Sequence, residues 1–111
     1  MRKKIGYIRS AKYGQVEDMP IMFGLQLDFY FNDWTGAGTN ELIFNISDEV
    51  KDKVGADQII ADVTRRINEI LKDANVNTVD QLIGKPVEVT IEFANVKSFR
   101  ILTEVIPHEN N

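Results

Sequence analysis

The alternation of apolar and polar residues dominates the first half of the chain. Every second position of residues 22–32 is apolar, namely Phe23, Leu25, Leu27, Phe29 and Phe31. A period of two is typical of a strand that buries one face. The alternation returns in residues 40–46, and a weaker version spans roughly residues 4–12. The pattern therefore predicts three strands, the second and third joined by the segment between them.

Residues 56–74 change to a different period. Apolar side chains recur there at steps of three and four, as in an amphipathic helix of about five turns. They are Ile59, Ile60, Val63, Ile67, Ile70, Leu71 and Ala74. Ser47, followed by two acids, could also cap one or two helical turns just before this helix.

A second, short helix is predicted from its end signals. Thr78 and Gln81 have the spacing of a capping box. Gly84 fits a C-terminal cap, and Pro86 prevents the helix from continuing.

The C-terminal part predicts a hairpin. Val87, Val89, Ile91 and Phe93 alternate on one strand, and Phe99, Ile101, Thr103 and Val105 fit the same face of a returning strand. The connection is expected at residues 94–97, with Asn95 in the turn. In that register, Phe93 opposes Phe99 and Glu92 opposes Arg100.

The order β-β-β-α-α-β-β predicts an α+β fold, an antiparallel sheet of about five strands with one long and one or two short helices on one face. We expect a single domain over residues 1–106 and a flexible C-terminal tail over residues 107–111. The second sheet face mixes polar residues with Ile43, Leu102 and Ile106. A second subunit of a homo-oligomer is expected to cover it.

Charge and composition narrow the functional classes. The 111 residues have a formal net charge of −4, which opposes binding to duplex nucleic acid. No apolar run is long enough to span a bilayer, and no signal peptide is recognisable after the basic start. There is no cysteine. We expect a cytoplasmic protein without a membrane partner.

Residues 33–40, Asp-Trp-Thr-Gly-Ala-Gly-Thr-Asn, form the most distinctive motif. Gly36 and Gly38 could turn the chain between two strands or offer backbone N–H groups to an anion, with positive φ in either case. No Lys-Ser or Lys-Thr follows the second glycine, so this is not a Walker loop. Trp34 could pack in a core or interface, or stack on a base.

Arg100 is the other candidate. It is the only cation on its predicted strand, and its guanidinium could bind a phosphate in bidentate fashion or form a cross-strand ion pair with Glu92. His108, the only histidine, has no plausible triad or metal partners, and no nucleophile is paired with a base. We expect no enzymatic activity, no cofactor and no metal site.

Several strings resemble a family of short phage and prophage proteins. They are Leu71-x-Asp73-Ala74-x-Val76-x-x-Val79-x-x-Leu82-x-Gly84-x-Pro86-Val87-Glu88-Val89-Thr90, then Ser98-Phe99-Arg100-Ile101-Leu102-Thr103-Glu104-Val105. Looser agreement is found at Tyr13-Gly14, Glu17-Asp18, Gly24-Leu25 and the Trp34, Gly36, Gly38 cluster. The chain is similar in this respect to the Thoeris anti-defence proteins of the first type. It departs from the pattern at Phe99, where relatives have tryptophan, and at the Ala94-Asn95 turn.

The resemblance implies a function. Such phage proteins bind a cyclic ADP-ribose isomer, the immune messenger of a bacterial TIR enzyme, and sequester it without cleavage in the host cytoplasm. Some also take up cyclic oligonucleotides, and their ligand sites lie between subunits. The resemblance carries over Arg100 and the glycine loop as candidate positions, and Trp34, Tyr30 or Phe99 could stack on adenine. The ligand-binding candidates are Arg100, Trp34, Gly36, Gly38, Thr39, Phe99 and Asn95.

Two other functions remain open at the sequence level. An acidic surface could mimic nucleic acid toward a basic host protein, which is expected of an inhibitor of a host defence protein or a small phage assembly factor. An accessory of phage recombination that acts on single strands would need exposed aromatic and basic groups on one sheet face.

Overall fold

A computed structural model describes residues 2–33, 35–39, 42–46 and 52–102. Within these ranges, the chain forms an antiparallel sheet of six strands with one α-helix and one 3₁₀ helix. The elements are β1 (Arg2–Val16), β2 (Met19–Phe31), β3 (Gly36–Thr39), β4 (Ile43–Asn45), α1 (Lys53–Asp73), the 3₁₀ helix (Val79–Leu82), β5 (Pro86–Glu92) and β6 (Asn95–Ile101). The α+β prediction is confirmed.

Strands β1 and β2 form one long hairpin, since Gly6 pairs with Phe31 near one end and Gln15 with Phe23 near the other. The turn between them places Asp18 at a φ of 69°, in the left-handed region that short polar residues tolerate. The alternation of β2 is confirmed, because four of its apolar positions are buried: Leu25, Leu27, Phe29 and Phe31. β1 is longer than the predicted strand over residues 4–12.

The glycine segment differs from the prediction. Residues 36–39 are not a turn between strands but the strand β3, in which Gly36 pairs with Tyr30 and Gly38 with Asp28. Neither glycine has a positive φ. A strand replaces the expected turn because β2 has unpaired backbone groups here, and pairing satisfies them. Of the third predicted strand, over residues 40–46, the structure shows β4 at Ile43–Asn45. β3 precedes it, and both pair with β2.

The strand order is β3-β2-β1-β5-β6. β5 returns after the helices to lie beside β1, so β1, β2, β3 and β5 form a Greek key. Cα atoms of β3 and β6 come within 8 Å of each other, so the sheet curves into an incompletely closed barrel. Side chains from β1, β2, β5 and β6 fill its interior together with helix residues Ile67 and Ile70.

Helix α1 begins after Asp52, whose carboxylate accepts a hydrogen bond from the Gly55 amide at 2.9 Å. This satisfies one of the amides that the first helical turn leaves without a partner. Only the C-terminal half of the predicted apolar face is well buried: Ile67 and Ile70 are in the core, whereas Ile59 is 54% exposed. The helix therefore packs on the sheet mainly through its last turns.

The 3₁₀ helix confirms the second helix signal. Gln81 Oε1 accepts hydrogen bonds from the backbone amides of Asn77 (2.9 Å) and Thr78 (3.2 Å). Gly84 then takes a φ of 90°, and its amide donates to the carbonyl of Ile8 at 2.7 Å. The end of the helix is thereby attached to β1, which positions β5 for pairing.

The predicted β5–β6 register is wrong. Glu88, and not Glu92, pairs with Arg100, and Val89, and not Phe93, pairs with Phe99. The turn consists of two residues, Phe93 and Ala94, both at positive φ (52° and 65°). Phe93 was expected in the core and is 89% exposed. The shorter turn allows more paired residues than the expected turn at 94–97, at the cost of exposing one aromatic ring.

Several predictions fall outside the described residues. These are the short helix from Ser47, the strand positions Thr103 and Val105, Trp34 and the tail over residues 107–111. Within the described parts of the chain, no helix is long and apolar enough to cross a membrane.

Candidate functional site

The sheet has an outer face that points away from the barrel core. Residues paired across strands share a face, so the register identifies its members. On β1, β2 and β3 they are Lys3, Tyr7, Ser10, Lys12, Gln26, Asp28, Tyr30, Gly36 and Gly38, and on β5 and β6 they include Glu88 and Arg100. We call this surface the outer face.

A β-bulge in β1 brings Ser10 to the outer face beside Arg9. The pairing with β2 shifts between Ile8 and Ser10, which leaves Arg9 as the extra residue. In a regular strand Ser10 would follow Ile8 toward the core, whereas here Arg9 and Ser10 both face outward. The bulge thus places a cation and a hydroxyl side by side on the same surface.

Arg9 and Tyr30 form a stacked pair. The Arg9 guanidinium carbon lies 5.6 Å from the centroid of the Tyr30 ring. The centroid of the Tyr7 ring, on the neighbouring strand β1, lies 5.7 Å from the same Tyr30 centroid. No carboxylate within the described residues forms an ion pair with Arg9. A methyl group built on Gly36 would lie 3.9 Å from Arg9 Nη2, so this glycine leaves the space beside the guanidinium open. The pair offers a flat, cationic surface.

A groove of 410 Å³ lies along the β1–β2 hairpin, toward its tip. Ser10, Lys12, Gln26 and Asp28 line it together with residues 13–17. Ser10 Oγ donates a hydrogen bond to Asp28 Oδ2 at 2.8 Å, which fixes the carboxylate in place. The groove therefore combines one ammonium group, the carboxylates of Asp28 and Glu17, and two side-chain amides.

Arg100 lies on β6, the strand that approaches β3 where the barrel nearly closes. Its Nε is 3.1 Å from Glu88 Oε1, and Lys3 Nζ lies 3.9 Å from the same oxygen. The expected cross-strand ion pair exists, but its partner is Glu88 because the register differs from the predicted one.

The other sequence-predicted site residues have structural roles. Phe99 is 5% exposed, and its ring centroid lies 5.1 Å from that of Phe29 in the core, so it is not available for stacking on a ligand. Asn95 donates from Nδ2 to the Phe93 carbonyl at 3.1 Å, which stabilises the turn as expected. Thr39 is 5% exposed.

A second cluster at the end of β2 stabilises a turn. Lys4 Nζ lies 2.6 Å from Asp33 Oδ2, and both the hydroxyl and the amide of Thr35 donate to Asp33 Oδ1. These donors, the Lys4 hydrogen bond first among them, hold the pKa of Asp33 far below its ordinary value. The described residues include no group of histidine, aspartate and glutamate side chains that could hold a metal ion.

No family model, curated protein or solved structure matches this chain. The site thus has to be assessed from its own chemistry. Of the predicted residues, the structure brings Tyr30, Gly36 and Gly38 together on the outer face. Arg9 was missed, because its position beside Tyr30 depends on the register of the β1–β2 hairpin, which neither periodicity nor a motif reveals.

Proposed function

We propose that the protein binds a nucleotide on the outer face around Arg9 and Tyr30 and holds it without reacting it. The observation that carries this proposal is the stacking of the Arg9 guanidinium on Tyr30 beside a strand whose outward positions are glycines. Bases stack on tyrosine rings and on guanidinium planes, and both are available here. The absence of side chains on Gly36 and Gly38 leaves room for the ligand.

The groove next to this pair supplies groups for the remainder of a nucleotide. Arg9 and Lys12 are exposed cations that can contact phosphate oxygens. Asp28, fixed by Ser10, can accept hydrogen bonds from ribose hydroxyls, the role that acidic residues have in dinucleotide sites. A volume of 410 Å³ lies within the range of small-molecule sites.

The architecture gives independent support, at the level of analogy only. Small, partly open Greek-key barrels of five strands commonly present the outer face of their second and third strands to nucleic acid ligands. The Tyr30, Gly36 and Gly38 cluster occupies the corresponding surface of this barrel.

Combined with the family resemblance, this leads to a specific function. The protein is a phage anti-defence protein that sequesters a cyclic ADP-ribose-type messenger from a TIR enzyme in the bacterial cytoplasm. The site is open on one side in a single chain, so a second subunit of a homo-oligomer closes it over the ligand.

Depletion of the messenger tests this function. Purified protein is mixed with the TIR product, removed by ultrafiltration, and then heated to release what it holds. We expect the filtrate to lose the messenger at stoichiometric protein and the heated sample to return it with unchanged mass. A filtrate that keeps its messenger contradicts the proposal, and a returned product of different mass contradicts sequestration without chemistry.

Two variants connect the result to the site. Arg9→Ala removes the cation from the stacked pair, and Arg65→Ala removes an equal charge from the exposed surface of α1, where Arg65 lies 3.4 Å from Asp62. We expect depletion to fail with the first and to persist with the second. Equal depletion by both variants contradicts the assignment of the site.

A further inference from the structure

Strand β1 has an unusual charge distribution for an acidic protein. Its fifteen residues contain Arg2, Lys3, Lys4, Arg9 and Lys12 and no aspartate or glutamate, whereas the whole chain has a formal net charge of −4. Five of the thirteen cations of the chain therefore lie on one strand. A local field of this kind attracts an extended anion even when the protein as a whole is acidic.

Three of these cations share the outer face. Lys3 and Lys12 are placed there by their pairing with Thr90 and Gln26, and Arg9 by its alternation with Ile8. All three are exposed. Nine residues separate the first from the last, so the row is about 30 Å long at the usual rise of a strand. The two phosphates of one compact nucleotide cannot contact all three cations, whereas phosphates spaced along an extended nucleic acid can.

Aromatic rings lie between the cations. Tyr7 occupies the outer face between Lys3 and Arg9 and is 40% exposed, and its ring is 5.7 Å from that of Tyr30. Alternation of stacking rings with cations along one groove is the arrangement by which proteins bind single strands irrespective of sequence. Duplex DNA does not fit this arrangement, because its bases are already stacked on each other.

We propose that the outer face of β1 binds single-stranded nucleic acid, with Lys3, Arg9 and Lys12 at three phosphates spaced along the nucleic acid and bases stacked on Tyr7 and Tyr30. This inference rests on the proposed nucleotide site at Arg9 and Tyr30, which becomes one part of a longer binding surface. We call this surface, from Lys3 to Lys12 on the outer face of β1, the track. The groove of 410 Å³ that Lys12 lines continues the track toward the hairpin tip.

Fluorescence anisotropy with labelled oligodeoxyadenylate of about 15 nucleotides, near the upper site size of one small barrel, tests the inference. Three phosphate contacts predict that the logarithm of the association constant falls with the logarithm of salt concentration at a slope of about −2. Lys3→Ala and Lys12→Ala should each reduce that slope by about 0.7. Tyr30→Ala should weaken binding about fivefold or more. Arg65→Ala on α1 is the matched control and should leave both quantities unchanged.

The outcomes separate this inference from the proposed function. If the messenger binds and the oligonucleotide does not, the track is contradicted and the compact site stands. If neither binds, both fail. Oligonucleotide binding that Lys3→Ala, Lys12→Ala and Arg65→Ala alter equally contradicts the placement of the strand along β1. Circular dichroism of each variant confirms that it is folded, and Tyr30→Phe, which keeps a ring, should restore most of the affinity that Tyr30→Ala loses.

Discussion

Replacing Ala94 with glycine should make the protein more stable, although glycine usually weakens a hairpin. Phe93 and Ala94 form a two-residue turn in which both residues have positive φ, and Ala94 has a φ of 65°. The left-handed region costs a residue with a Cβ atom roughly 1–2 kcal/mol, and glycine avoids that cost. The greater freedom of glycine in the unfolded chain removes about 0.4–1 kcal/mol of the gain. The net expected stabilisation is about 1 kcal/mol.

Thermal unfolding followed by circular dichroism measures this effect. A domain of this size gains about 4 °C in Tm for 1 kcal/mol, which such an experiment resolves easily. Ala61→Gly, in the interior of α1, is the matched control and should lower stability by about 1 kcal/mol. If Ala94→Gly lowers Tm as Ala61→Gly does, residue 94 does not have a left-handed conformation, and the two-residue turn and its register are wrong.

Three further predictions follow from individual contacts. Gly24→Ala should destabilise the protein by roughly 2–3 kcal/mol, because a Cβ atom there would lie 2.1 Å from a backbone oxygen of the segment before β4. Gly14→Ala has nearly the same φ but open space around it, so it should lower the free energy of urea unfolding clearly less than Gly24→Ala does. Equal losses in the two variants would argue against the close contact at Gly24. Arg100→Ala should change stability by less than about 1 kcal/mol and leave messenger binding intact, because the Arg100 side chain is half exposed and ion-paired. Loss of messenger binding in calorimetry would show that Arg100 belongs to the binding site. Asp33→Asn should lower the urea midpoint at neutral pH. The folded-state pKa of Asp33 is depressed, so the ionised carboxylate stabilises the fold at pH values above its unfolded-state pKa and loses this effect in acid. The difference in urea midpoint between the wild type and Asp33→Asn should therefore narrow below about pH 4. A difference that stays constant with pH would contradict this role of Asp33.

The elements that sequence predicts best are those with a strong period and end signals. β2 and α1 were predicted because long amphipathic segments carry their own periodicity, and the 3₁₀ helix because Gln81 and Gly84 determine its ends. The β5–β6 register was not predictable in the same way. Alternation permits any shift by an even number of residues with no change of face. The two-residue turn at Phe93, together with the pairing irregularity between Thr90 and Ile91, decides between those registers.

The candidate site was predictable only in part. Glycines at every second position mark a surface without side chains, and Tyr30 lies on the polar side of an alternating strand, so both could be named from sequence. Arg9 could not be placed beside Tyr30, because that position depends on the pairing of β1 with β2, which has no reliable sequence signal. Arg100 was expected opposite Glu92 and lies opposite Glu88, because the β5–β6 register differs from the predicted one.

Isothermal titration calorimetry with the purified TIR product tests the central claim most directly. The wild-type protein and Arg65→Ala should bind the messenger with equal affinity, whereas Arg9→Ala should bind it about tenfold more weakly or worse, in line with the loss of charge-assisted hydrogen bonds. Equal affinities for Arg9→Ala and Arg65→Ala, in proteins with unchanged circular dichroism, would contradict a nucleotide site on the outer face beside Tyr30.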